Sequence, residues 1–210
     1  MQLVGKLIIK SKDKIIKFLD EESTGRISSI DKDGFPQIIP MNFVFLDNSV
    51  YMHSHIRGEK IENIKHNSKV GFEVDRNLEF LPSYFSDPDD ASLADTLYIS
   101  VVIKGEAILV EDKKEKVLAL NGLMKKYQPE GRYAPMREDM DVLDATAVIK
   151  VTPKKMNGKY KIGQNMSKDE KIELATKILD KNSKTAKETV KIMGFIMEND
   201  KLVMNEDVKW

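Results

Sequence analysis

Between residues 25 and 75, four segments with strand character follow one another through connections too short for a parallel crossover. Residues 25–31 (GRISSID) and 35–45 (FPQIIPMNFVF) alternate in polarity on either side of Lys32-Asp33-Gly34, where Asp-Gly is a strong hairpin signal. A second turn at Asp47-Asn48-Ser49 leads into residues 50–55 (VYMHSH), and residues 69–75 (KVGFEVD) give a fourth strand. Pro36 and Pro40 lack the donor a central strand needs, so their strand belongs at an edge or bulge. Residues 96–110 and 145–151 add two strands, with Gly105 at an expected bulge or bend. Helical patterns occupy residues 11–22, with Ser11 as cap, then 59–66, 112–127 and 167–179, the last with Ser167 and Glu170 spaced as a capping box. This order predicts an α+β fold, mainly antiparallel β: a six-stranded closed or split barrel with peripheral helices. Residues 76–95, with Pro82, Pro88 and an acidic run at 87–90, read as a long solvated loop, and residues 182–210 as a helix with a polar end.

Composition removes several function classes. The chain has 210 residues and no cysteine, which excludes disulfides, thiolate metal sites and thiol nucleophiles. Lys+Arg and Asp+Glu number 34 each, and a net charge of zero speaks against a nucleic-acid or anionic-membrane partner. No apolar run is long enough for a signal peptide or a spanning helix, so the expected location is cytoplasmic.

The stretch 51–65 (YMHSHIRGEKIENIK) is the richest in chemistry. Alternation puts Tyr51, His53 and His55 on one strand face and Met52 and Ser54 on the other. The strand ends at Arg57-Gly58-Glu59-Lys60, where a helix begins. A helix start with unpaired N–H groups, a glycine, a hydroxyl and two cations holds the parts of a phosphate cradle; the plain alternative is two exposed cations at an ordinary helix start. A metal site on His53, His55 and His66 has no recognised ligand spacing, and barrel-lining histidines are the more economical assignment. Neither a GxSxG elbow nor a strand-linked GxGxxG is present. Antiparallel pairing of the second and third strands would set Asn42 and Phe43 beside residues 51–54, with the Met41 and Phe43 side chains read as core.

The ordered segments GRISSIDKDGFPQIIPMNFVF, VYMHSHIRGEKIENIKHNSKVGFEVD and YISVVIKGEAILVEDKKEKVLAL, about half the chain, resemble the flavin-binding split-barrel proteins related to pyridoxamine 5′-phosphate oxidase, in particular their 5-nitroimidazole resistance branch. The resemblance implies a homodimer holding FMN in clefts at the subunit interface, with residues 1–160 as the split-barrel domain and 161–210 as a C-terminal helical extension packed on the barrel or the dimer interface. Carried over by position, Arg57 and Lys60 would contact the FMN phosphate, with the Ser54 hydroxyl and the backbone near Gly58. Met41, Asn42, Phe43, Met52 and His53 would line the ribityl chain and ring, with His53 as the candidate catalytic group, and Thr96, Tyr98 and Ser100 would approach the ring. Arg57 stands where many relatives carry a small or acidic residue, the 76–95 loop is longer than usual, and the match is loose beyond Tyr160. The implied activity is an FMN-dependent oxidoreductase that takes electrons from NAD(P)H and reduces a small, nitroaromatic-type electrophile. A non-catalytic flavin or haem module is the alternative, and pyridoxamine phosphate oxidation ranks behind both, since no second phosphate site is evident.

Overall fold

The computed structural model describes residues 5–199 and 201–205. Two compact units emerge: a barrel unit of residues 11–74 and 101–157, and a second unit drawn from residues up to Lys10, Asp75–Ser100 and the chain from Gly158 onward.

In the barrel unit, helix α1 (Lys12–Glu21) starts where the Ser11 hydroxyl accepts the Lys14 N–H, and it buries Ile15, Phe18 and Leu19. Strands β2 (Gly25–Ile30) and β3 (Pro36–Met41) form the expected hairpin, with Ile27 opposite Ile39. The Asp31 carboxylate accepts the Asp33 and Phe35 N–H groups, and Gly34 takes the positive φ of 88° that the turn requires. Strand β4 (Phe43–Leu46) pairs with β5 (Ser49–His55), placing Phe43 opposite Met52 as the hairpin argument expects. Helix α2 (Glu59–His66) then leads into β6 (Lys69–Leu81), which pairs with β2. Strand β7 (Asp95–Leu109), helix α3 (Lys113–Tyr127), the short helix α4 (Val142–Ala145) and strand β8 (Thr146–Lys161) follow.

The strand path is β3-β2-β6-β7-β8-β5-β4, with the two-residue β1 (Ile8–Ile9) paired to β8 away from it. Its ends, β3 and β4, are consecutive in the chain and separated only by Asn42. The two end strands of the path are therefore joined by a covalent link, with no ladder between them among the described residues. Residues 35–45, expected as one strand, are two: up to Met41 the chain pairs with β2, and from Phe43 it pairs with β5. Six expected strands thus become eight in this sheet, through this division and the addition of β1, while the mainly antiparallel α+β class stands. The prolines of β3 sit on an edge strand, as their missing donors require.

Two strands also run further than expected. Strand β6 continues through Leu81 and β8 through Lys161, although residues 153–160 are rich in lysine. Paired partners make that sequence tolerable: Lys154 sits 3.0 Å from Glu106 in the barrel unit, and in the second unit Lys161 pairs with Asp95 and Lys159 lies 5.3 Å from the Tyr98 ring centroid. Gly105 lies within the continuous β7; a Cβ there would stand 2.6 Å from the Thr152 carbonyl oxygen, so close strand approach explains the glycine.

Outside the barrel, α3 covers a cluster of Val44, Tyr51, Val110, Ala119, Leu120, Leu123, Leu143 and Val148. The Tyr51 hydroxyl donates to Glu115 Oε1 at 2.7 Å, and Lys150 Nζ reaches the same oxygen at 2.7 Å. These bonds, that from Lys150 first, hold the Glu115 carboxyl below its ordinary pKa, while burial pushes the Tyr51 phenol up.

In the second unit, α5 (Lys168–Lys181) carries the expected capping box between Ser167 and Glu170, and α6 (Ala186–Ile192) follows. The tail also contains an antiparallel hairpin, β9 (Phe195–Glu198) with β10 (Lys201–Met204), beyond the single helix its pattern indicated; residues 206–210 lie outside the described residues. The expected loop is shorter than 76–95 because β6 claims its beginning, and two 3-10 turns, Ser83–Phe85 and Ala91–Leu93, organise the rest. Its acids act locally: Asp87 accepts the Asp89 N–H, and Asp90 accepts the Ser92 N–H and hydroxyl. Nearby, buried Glu79 is held by Lys181, Ser183 and Thr185, whose hydrogen bonds lower its pKa against the opposing effect of burial.

Candidate functional site

The site grows from the end of β5. Its early residues are buried on both faces, with Tyr51 under α3 and Met52 opposite Phe43; beyond them, His53 and His55 emerge to solvent and Ser54 is half-buried. The bend after His55 is tied locally. Nδ1 of His55 accepts the Arg57 N–H at 3.1 Å, and the Ser54 hydroxyl donates to the His55 carbonyl at 3.0 Å. Gly58, at φ 136°, begins α2, and its carbonyl accepts the N–H groups of Ile61 and Glu62. No side chain caps this helix start, so none competes there with an incoming anion.

Two cations flank this helix start. Arg57 is exposed and Lys60 half-buried, and neither side chain has a carboxylate partner among the described residues. Lys60 Nζ lies 3.4 Å from the Met41 sulfur, a weak acceptor, and burial without a compensating anion pulls its pKa down. Glu59 places one exposed carboxylate at the first helical position, while Glu62 is paired with Lys65 at 2.9 Å. Asn63 anchors the helix to the β2–β3 hairpin through long contacts, 3.4 Å each, with Ser29 and Gln37.

The residues singled out from sequence divide as follows. In the barrel unit, Met41 is half-buried beside Lys60, Asn42 is exposed at the β3–β4 break, and His53, Ser54, Arg57, Gly58 and Lys60 occupy successive positions of one strand-to-helix bend. Phe43 and Met52 are fully buried, Phe43 in edge-to-face contact with Phe72 at 5.1 Å, so what these two can turn outward is backbone. Thr96, Tyr98 and Ser100 belong to the second unit; they share a half-buried face of β7 while Leu97 and Ile99 are buried on the other.

Sequence pattern misses the residues that hold the break. The Tyr127 hydroxyl is bonded to the backbone of Phe43, 84 positions away, and Lys126 Nζ sits 3.7 Å from the Phe43 ring centroid. No spacing rule links residues so distant; the sole local sign is their place at the end of an amphipathic helix.

The family model for pyridoxamine 5′-phosphate oxidase matches residues 11–160. Among solved structures, a protein provisionally assigned to 5-nitroimidazole antibiotic resistance, from Bacteroides thetaiotaomicron VPI-5482, is similar at 24% identity and a TM-score of 0.62, covering 73% of this chain and 86% of its own. A flavocytochrome from Azotobacter vinelandii is similar at 18% identity and a TM-score of 0.65, covering 77% and 72% respectively. An FAD- and haem-binding protein from Mycobacterium smegmatis gives 17% identity and a TM-score of 0.64, covering 80% and 79%. At these identities the likeness is one of fold. No curated protein matches the chain.

Proposed function

Because the chain belongs to the pyridoxamine 5′-phosphate oxidase family, we propose that it is a cytoplasmic, homodimeric FMN-binding oxidoreductase that takes electrons from NAD(P)H and reduces a small electrophile of the nitroaromatic type. The observation that carries this reading is the pair of cations, Arg57 and Lys60, without a carboxylate partner among the described residues, at an uncapped helix start. A phosphate bound there meets two positive charges and the helix N–H groups, with the Ser54 hydroxyl available once it turns from the His55 carbonyl, and it supplies the anion that half-buried Lys60 lacks.

When bound, the flavin supplies the hydride chemistry, which explains a site without a catalytic dyad. The chain's own part is to bind, orient and exclude water. Asn42 and the outward backbone beside it offer amide and carbonyl partners to a polar ring. His53 is exposed near the bend, and an imidazole there can hold or deliver a proton to a reduced substrate. Asn42, His53, Arg57 and Gly58 are all exposed in one copy, so a ring lying across them needs a cover, which a second subunit would provide. Edge strand β3 and its hairpin add an apolar surface suited to pairing, with Phe35 69% and Ile38 62% exposed.

The test is steady-state NAD(P)H oxidation by the FMN-loaded protein with a nitroaromatic acceptor. Turnover above that of free FMN, reduced in His53→Ala while FMN stays bound, is the expected result. FMN binding without turnover would favour a second reading, a non-catalytic flavin or haem module. Two structural neighbours, a flavocytochrome and an FAD- and haem-binding protein, join flavin with haem, and exposed His53, His55 or His66 could serve such a group as an axial ligand. A Soret band on adding haem would distinguish that case.

A further inference from the structure

Several contacts converge where β3 gives way to β4. Among the described residues strand β4 pairs only with β5, so the outer edge of Phe43 faces the open seam of the barrel. Tyr127, the last residue of α3, fills that edge. Its hydroxyl accepts the Phe43 N–H at 2.8 Å and donates to the Ser23 carbonyl at 2.5 Å, with the Phe43 carbonyl, 3.0 Å away, as the alternative acceptor. Burial raises the Tyr127 pKa, which keeps the phenol protonated and able to donate. Lys126 completes the lock, with its ammonium over the Phe43 ring and bonded to the Leu19 carbonyl at 2.8 Å. On the other side of Asn42, Met41 meets Lys60. Asn42 is thus the single residue between a backbone pinned by Tyr127 and a side chain touching the cationic bend.

We infer that Tyr127 is a positioning residue of the flavin site: its hydroxyl, bonded to the backbone of Phe43 across the open β3–β4 seam, fixes where Asn42 presents its side-chain amide to the ring. The inference rests on the flavin assignment above. A phenol stands in for the missing ladder, so the seam keeps one geometry while its edge stays free of a neighbouring strand.

A double-mutant cycle on the full-length protein tests it, titrating FMN and following the visible absorption and circular dichroism of the bound flavin. Tyr127→Phe keeps the ring packing and removes only the hydroxyl. Its FMN affinity falls by about 3–10-fold, the worth of one neutral hydrogen bond, and the bound-flavin spectrum shifts. Asn42→Ala gives a comparable loss, and the double variant is no worse than the weaker single, because Tyr127 acts through Asn42. Wild-type affinity and spectrum in Tyr127→Phe, or losses that add in full, would make Tyr127 merely structural and overturn the inference while leaving the flavin assignment intact. A wild-type protein that binds no FMN would remove both. Should Tyr127→Phe fail to fold, exchange of the Phe43 amide proton in the wild type decides: further slowing on FMN addition supports the inference, and unchanged exchange overturns it.

Discussion

Gly25 shows how tightly the barrel interior constrains single positions. A Cβ there would lie 2.1 Å from the Phe72 ring, which is itself in edge-to-face contact with Phe43. Gly25→Ala must therefore displace a fully buried aromatic pair at the β3–β4 break. Overpacking of this kind costs about 1–3 kcal/mol, to be read as a lower denaturant midpoint at an unchanged slope. A midpoint equal to wild type would mean that the ring moves freely, contrary to its burial. Sequence alone placed a glycine at the start of a strand here and held no information on what packs against it. Phe43 was legible as a core residue, and it is fully buried, whereas the burial of Met52 opposite it was not.

The β3–β4 break shows what periodicity can and cannot resolve in an element. Residues 35–45 read as one continuous strand, because both halves are strand, and only the change of partner from β2 to β5 divides them. Likewise the polar end of β8 reads as loop or linker until its charge pairs with β7 are visible. Two caps, by contrast, were plain in the sequence: Ser11 and Ser167 each accept the backbone N–H three residues on. At the end of α3, burial holds the Lys126 pKa at about 8, down from 10.5, partly offset by Asp20 and Glu22. The unfolded chain thus binds the extra proton between about pH 8 and pH 10.5, so this lysine's burden on stability is full below pH 8 and is relieved as pH rises. Relative to Lys126→Met, the wild type should gain unfolding free energy between pH 7 and pH 10 in denaturant titrations. A difference that stays constant with pH would show that the ammonium is solvated.

For the molecule as a whole, the barrel unit was largely legible and the second unit was not. Hairpin signals, edge prolines and short connections specify an antiparallel barrel almost without reference to packing, and the family match over residues 11–160 agrees with them. The second unit assembles from three stretches far apart in sequence, Asp75–Ser100 among them, and no local pattern announces that they share a core. The candidate site shows the same division: the cationic bend of residues 54–60 is local and readable, whereas the seam held by Tyr127 depends on contacts 84 positions apart. The most direct measurement of the central claim compares FMN with riboflavin, which lacks the phosphate, on the wild type and on Arg57→Ala/Lys60→Ala. Wild-type protein should prefer FMN by at least about tenfold, on the order expected for hydrogen bonds to a charged group, and the paired substitution should erase the preference while leaving riboflavin affinity unchanged. Equal affinity for the two flavins in the wild type, or a preference for FMN that survives the loss of both cations, would contradict a phosphate seated at this bend.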